Sequence, residues 1–450
     1  MGLFQEFSES TSMHGLQRAV SSESKWKRPL WAALVLAGAC LATFNLSQTL
    51  KDFLHNPTTT QTSVHYNPDM EFPVITICNL NPFRSSLINA VTDSDFIENL
   101  WRNPGNFTYE DVVDLTWQYY KMKNVSVTHQ LEATVMTCKF GTGPRGYGKF
   151  LPSFNLKYTT KPGPSNGLIL ELNVQQSEYL SATESAGFKI AVRPRDTLAF
   201  PEDQGLIVMP GTNTNIGLKK VEMSRTPPPY SACVELTDEP NVELNMFSFT
   251  EGTRYTAEAC RKTCYMRELV RQCGCCDLHF ICPPEIYNNI SFCNATNTDE
   301  FVCKKQVLKM FEKGELDCLS RCLPPCEEVV YDVALSTAIW PSNNAIPYKM
   351  TALGFDQANL NTAMSEMKRN FLRVAIFYED LAVRRVESRP SYDWNRLLSD
   401  IGGQLGLWLG FSILTAMEWL ELAYDAGIRA TTRMSLGAQT TRAHGQEQGP

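Results

Sequence analysis

The groups best placed for chemistry lie near the end of the chain. From Ile401 to Met417 there is no charge, and acids stand on either side, Asp400 before and Glu418 and Glu421 after. Gln404, Ser412 and Thr415 sit inside this run and Ser399 just ahead of it. Hydrocarbon penalises polar groups that face neither protein nor water, so oxygens spaced along an apolar helix point to ion binding or an ion path. Gly402, Gly403, Gly406 and Gly410 interrupt the same helix and allow backbones to approach closely. A Gly-rich anchor with acids snorkelling at its rim fits the same residues, which therefore do not decide by themselves.

For that chemistry the run must cross a bilayer. As a helix it covers about 25 Å at 1.5 Å per residue, slightly short of a hydrocarbon core of about 30 Å, and residues 397–424 are read as a spanning segment. A second apolar run, residues 30–50, follows the basic group Lys25, Lys27 and Arg28. A signal peptide begins in the same way. Here a long polar stretch precedes the run and no small-x-small cleavage site follows, which favours a signal anchor. The nominal sequon at Asn45 lies inside this span and is not expected to be used. The basic cluster places residues 1–29 in the cytoplasm, and Arg429 and Arg433 agree. Arg384, Arg385, Arg389 and Arg396 disagree, but long translocated segments obey that rule poorly. Both termini are expected inside, with the tail 425–450 disordered beyond Arg429. Sequons at Asn106, Asn124, Asn289 and Asn294, and every cysteine except Cys40, fall between the spans and put residues 51–396 outside the cell.

The 450 residues carry a net charge of −7, too mild to imply nucleic acid. Residues 1–29 show no obvious fold beyond His14-Gly15. In the outer segment, 72–78, 168–174, 188–192 and 371–378 have strand composition. Residues 83–135 read as amphipathic helices with packing aromatics, and Pro-rich turns follow the middle strands. The fold class is thus α+β, a membrane protein with two helices and a large outer domain.

Residues 256–326 form a cysteine-dense helical module: Cys260, Cys264, Cys273, Cys275, Cys276, Cys282, Cys293, Cys303, Cys318, Cys322 and Cys326. Zinc ligation competes for these thiols, but the spacings are not paired knuckles and two sequons fall within the module. Disulfides are expected, with Cys260 and Cys264 on one helix face bonding into the Cys318, Cys322 and Cys326 run as a ladder. Each bond contributes about 2–4 kcal/mol by restricting the unfolded chain. His55, His65, His129 and His279 are scattered, and no hydrolase or phosphate-loop signature appears. No catalytic residue, cofactor or metal is expected.

Taken in order, these pieces resemble the degenerin / epithelial sodium channel / acid-sensing ion channel superfamily. His14-Gly15 resembles its cytoplasmic His-Gly motif, and residues 72–81 (FPVITICNLN) its first palm strand. Residues 166–168, 174–180 and 227–230 resemble the acid-sensing branch, and the run Ala259, Cys260, Arg261 and Cys264 resembles the opening of the thumb. Residues 398–412 (LSDIGGQLGLWLGFS) resemble its pore helix. The resemblance implies a homo- or heterotrimer whose subunits have palm, β-ball, finger (about 83–160), knuckle and thumb (about 256–330) above the two helices. Gly410, Phe411 and Ser412 would be the GxS selectivity filter, His14, Gly15 and Ser399 gating residues, and Asp400, Glu418 and Glu421 acids that attract cations. A carboxylate attracts a monovalent cation by about 1 kcal/mol at 4 Å even in bulk-like water. That favours cations over anions; preference for sodium is implied by the family motif alone.

Two departures bear on this. The family's partners for the cysteines matching Cys78 and Cys138 are missing, and the stretch 141–154 is short, so these two are expected to bond to each other. The family's His-His pair after the first helix is replaced by Pro57 and Thr58, and its thumb acids by Lys304, Lys305, Lys309 and Lys313, which weakens proton gating. The expected function is a sodium-selective, voltage-insensitive, amiloride-sensitive plasma-membrane channel, gated by a proton, a neuropeptide or another unknown extracellular ligand, or leaking constitutively. An ATP-gated type of two-helix trimer and a non-conducting receptor or adhesion module are the alternatives. Sodium ions, the lipid bilayer and related subunits are the partners.

Overall fold

The computed structural model describes residues 3–21, 26–89, 112, 115–116, 135–140, 158–181, 183–236, 253–277, 290–294, 297–352 and 360–444. The chain opens with helices α1 (Leu3–Ser10), α2 (Leu16–Ser21) and α3 (Lys27–Leu54), then strands β1 (Thr58–Tyr66), β2 (Met70–Glu71) and β3 (Val74–Asn79). Helix α4 (Ser85–Asn89) precedes β4 (Val135–Phe140), β5 (Tyr158–Thr159), β6 (Leu168–Asn173) and β7 (Phe188–Arg193). Next come α5 (Pro201–Gln204), β8 (Leu206–Val208), β9 (Thr212–Ser224), α6 (Ala257–Cys273), α7 (Thr298–Glu312) and α8 (Cys318–Arg321). The chain ends with β10 (Glu327–Ile339), α9 (Ile346–Ala352), α10 (Leu360–Asn370), β11 (Phe371–Pro390), α11 (Trp394–Leu409) and α12 (Ile413–His444).

These elements divide into two compact units, residues 60–388 and the remainder. In the first, a large sheet runs β10-β9-β11-β6-β4, with β1 also on β11. Strands β9 and β10 pair antiparallel along their whole length, Thr212 opposite Ile339 through Ser224 opposite Glu327. Strands β9 and β11 run parallel, with a register shift between Tyr378 and Val383. A smaller sheet, β3-β7-β8, packs against it. The seam is one apolar cluster containing Phe72, Leu172, Phe188, Ile190, Ile216, Leu218, Val374 and Ile376. The alternating sequence of β6 and β7 requires this, since one face of each strand needs cover.

The cysteine module has its own core around Tyr265, Met266, Leu269 and Val307. Thr256 caps α6 by accepting from the Ala259 N–H, and Gly274 ends it in the left-handed conformation. The expected ladder is present: Cys260 bonds Cys322 and Cys264 bonds Cys318. Residues four apart on α6 thus meet residues four apart on the α8 segment. Cys273 bonds Cys303, Cys275 bonds Cys293, and Cys326 pairs with Cys233. Cys276 is disulfide-bonded as well. Within the module Asp277 is buried, accepts a 2.7 Å hydrogen bond from the Tyr265 hydroxyl and lies 3.0 Å from Lys304 Nζ.

Three expectations are corrected. Cys78 is a free thiol and not a disulfide partner. It sits opposite Lys189 in the small sheet, whereas Cys138 sits opposite Leu170 in the large one, so the two are held on different sheets. Residues before the first long helix are not without fold, since α1 and α2 form there. The tail is not disordered from Arg429, because α12 continues to His444. Its Ala, Arg, Met, Leu and Gln are sound helix formers, and extending an existing helix costs far less than starting one. The exposed Asn294 lies just before α7; the sequons at Asn106, Asn124 and Asn289, Cys282, and most of the stretch 83–160 lie outside the described residues.

Candidate functional site

The second unit holds α1–α3 with α11 and α12. Helix α3 is long and apolar enough to cross a membrane, and α11 with the first part of α12 passes the same test as a pair bent by 75°. Two local causes produce the bend. Gly410 adopts φ +65°, and the N–H groups of Gly410 and Phe411 bond back to Gly406 and Leu405 carbonyls, which closes α11. Ser412 then opens α12. Its Oγ accepts from the Thr415 N–H at 3.3 Å, while its own N–H donates to Thr415 Oγ1 at 3.1 Å. That reciprocal arrangement is a capping box with threonine in the acceptor role.

The N-terminal segment packs against this break. The His14 N–H donates to the Leu409 carbonyl at 3.1 Å, satisfying one orphaned acceptor at the end of α11. Gly410 has no room for a side chain, because a Cβ there would meet the His14 ring at 2.5 Å. Gly15 is itself at φ +79°, and a Cβ would touch Trp31 and Val35 of α3 at 3.2 Å. Ser12 Oγ lies 2.6 Å from Oγ1 of the fully buried Thr415. Glu418 accepts from Thr11 Oγ1 at 2.8 Å and from the Ser12 N–H at 3.0 Å. Phe7 and Trp419 meet edge to face at 5.0 Å.

Helix α3 lines the other side of α11. A Cβ on Gly38 would stand 3.0 Å from the Trp408 carbonyl, a close approach that needs glycine. Asn45 Nδ2 donates to Gln404 Oε1 at 3.3 Å, and Trp408 Nε1 donates to the same oxygen at 3.2 Å. The two amides in apolar runs thus share a hydrogen bond, the partner that a polar group on an apolar helix needs. Above them the Tyr392 hydroxyl donates to Asp400. Desolvation and that carboxylate push the Tyr392 phenol up to about 12, so it remains a donor at ordinary pH. Ser399 is exposed, its Oγ bonded to the Asn395 carbonyl at 2.9 Å.

The sequence-predicted residues His14, Gly15, Gly410, Phe411, Ser412 and Glu418 are therefore brought together, while Ser399 and Asp400 stand at the other end of α11 and Glu421 is exposed beyond the group. Sequence reasoning missed Thr11, Ser12 and Thr415 as one hydrogen-bonded set with Glu418. The signal was present: a threonine and a carboxylate on an apolar helix need partners, and the nearest short polar segment is the N-terminus.

A profile of the family described as amiloride-sensitive sodium channel matches residues 7–422, which takes in the His-Gly turn, the sheets, the disulfide module and the bent helix pair. The chain belongs to that family. Its relatives among amiloride-sensitive sodium channels include the FMRFamide-activated amiloride-sensitive sodium channel of Cornu aspersum, 24% identical over 93% of this chain and 82% of that one. The bile acid-sensitive ion channel of Homo sapiens is 25% identical over 93% and 85%. Epithelial sodium channel subunit alpha of Neoceratodus forsteri is 23% identical over 94% and 79%. Membership in this sodium channel family accounts for the near full-length match, and the family is one of channels, not enzymes.

Proposed function

We propose that three copies of the chain, alone or with related subunits, enclose a plasma-membrane pore that is sodium-selective, voltage-insensitive and amiloride-sensitive. Helix α3 and the bent α11–α12 pair are its two spans, both termini are cytoplasmic, and residues 51–396 form the extracellular domain with palm, β-ball, finger, knuckle and thumb. The observation that carries this reading is the interruption at Gly410-Phe411-Ser412. A helix that ends inside an apolar run leaves carbonyls without intrahelical partners and carries partial negative charge at its C-terminus. Three such ends around an axis, with the Ser412 hydroxyls, offer oxygen ligands to a cation that sheds water. Asp400 adds negative charge at the outer mouth. Glu418 serves chiefly to hold the N-terminal segment under the filter, since its oxygens accept from Thr11 and Ser12.

Gating by an extracellular ligand fits the names of two relatives, one FMRFamide-activated and one bile acid-sensitive. The Lys304 side chain, which replaces a thumb acid of the acid-sensing branch, is already committed to Asp277, so protons are the weaker choice. Two-electrode recording from cells expressing the chain tests the function. An inward sodium current evoked by acid or by a panel of amidated peptides, and blocked by amiloride, is expected. A current carried equally by chloride, or one untouched by amiloride, would overturn the reading.

Ser399 provides a separate test. It occupies the position that, by resemblance, sets the resting gate, and its exposure on α11 leaves room for a bulky group within one chain. Ser399→Trp, or reagent attached to Ser399→Cys, is expected to raise the resting sodium current several-fold; unchanged current at equal surface level would remove Ser399 from the gate.

A further inference from the structure

The larger unit contains a cavity of about 880 Å³, within the range of small-molecule sites. Its walls come from the end of β7 and the loop after it, from β9 and β10, and from the start of α6. Phe72, Leu198, Phe200, Leu206 and Tyr255 supply an apolar lining. The cations around it other than Arg193 are each paired with an acid. Arg195 lies 3.4 Å from Glu71, Arg254 lies 3.4 Å from Asp196, and Lys220 and Arg385 share Glu222 at 2.8 and 3.1 Å. Arg193 has no ion pair among the described residues, and its Nε is buried without a hydrogen-bond acceptor. Burial alone depresses its pKa from the usual value, yet a guanidinium keeps its proton at any physiological pH. A half-buried cation without a counter-charge is costly in a folded protein, and a carboxylate that reaches its terminal nitrogens recovers part of that cost.

We infer that this cavity binds an amphipathic monocarboxylate, whose carboxylate pairs with Arg193 and whose apolar body lies against Phe72, Phe200 and Tyr255. A planar guanidinium matches a carboxylate in two parallel hydrogen bonds. The body must be apolar because the lining beside Arg193 is. The head group carries a single charge because acids outnumber bases around the walls, where Glu258, Glu327, Glu328 and Glu387 stand besides Glu71, Asp196 and Glu222. A doubly charged phosphate would meet them at close range and be repelled. The site belongs to one chain and does not depend on how the pore conducts, so its failure would leave the channel reading intact.

Photolabelling of the full-length protein in membranes tests it, with a diazirine-bearing 4-phenylbutyrate as probe and peptide mapping as readout. Saturable label on the segments holding Phe200 or Tyr255 is expected. Excess 4-phenylbutyrate should remove it, and the neutral 4-phenylbutan-1-ol should not. Arg193→Gln should raise the half-saturating concentration by about tenfold or more, the worth of a charged hydrogen bond. Arg193→Lys should recover part of the loss, and Arg195→Gln, whose parent is already paired with Glu71, should bind as the wild type does. Label that persists unchanged in Arg193→Gln, that the alcohol displaces as well as the acid, or that never saturates would each overturn the assignment.

Discussion

Replacing Gly410 by alanine is expected to lower the amiloride-sensitive sodium current about tenfold or more at an unchanged amount of surface protein. Two costs combine. A residue with a Cβ pays about 1–2 kcal/mol to hold the left-handed conformation that Gly410 adopts at φ +65°, and about 1.4 kcal/mol is already a factor of ten. In addition, that Cβ would fall 2.5 Å from the His14 ring and 2.6 Å from its Nδ1. Backbone or ring must move, and the His14 N–H to Leu409 hydrogen bond moves with it. The break between α11 and α12 would then lose the geometry that presents its carbonyls. A double-mutant cycle separates the two costs. Measured against His14→Ala, the further change Gly410→Ala should reduce current less than it does in the wild type, because the steric part is gone. Equal reductions in both backgrounds would show that the His14 ring does not limit the space at Gly410.

The second large effect is on stability. Lys304→Met should destabilise the disulfide module by about 3–5 kcal/mol, since it removes a cation that balances a buried carboxylate. Asp277 is 3% exposed, and Lys304 at 3.0 Å is its ion-pair partner in the structure. The Tyr265 hydroxyl at 2.7 Å is a neutral donor and does not replace an ammonium. Thermal unfolding of the purified full-length protein, followed by tryptophan fluorescence, measures the loss. Asp277→Asn added to Lys304→Met should restore part of the midpoint by removing the buried charge that Lys304 balanced, and Lys304→Arg should stay near the wild type. If Lys304→Met unfolds at the wild-type temperature, the pair is not holding α6 and α7 together. This lysine was read from sequence only as a missing acid; folded, it is an internal strut.

Much of this protein was legible residue by residue. The apolar run 30–50 became the middle of α3, the alternation of residues 168–174 and 188–192 became β6 and β7, and the four-residue spacing of cysteines on α6 became two rungs of a ladder. All of these depend on near neighbours, and near neighbours are what a sequence displays. Of the four glycines read as interruptions of the last apolar run, Gly410 alone ends a helix, while Gly402, Gly403 and Gly406 lie inside α11.

Tertiary structure alone decided the rest. Cys78 stays free because its strand joined the small sheet, a choice made by pairing with β7 more than a hundred residues downstream. Thr11 and Ser12 found Glu418 and Thr415 across some four hundred residues, which packs the N-terminal segment on the break between α11 and α12. Asp196 stands three residues from Arg193, and only the fold commits it to Arg254 and leaves Arg193 beside the cavity with no ion pair among the described residues. Charges and thiols find partners wherever the chain brings them close, and that proximity is set by packing of whole sheets and helices, which no local window contains.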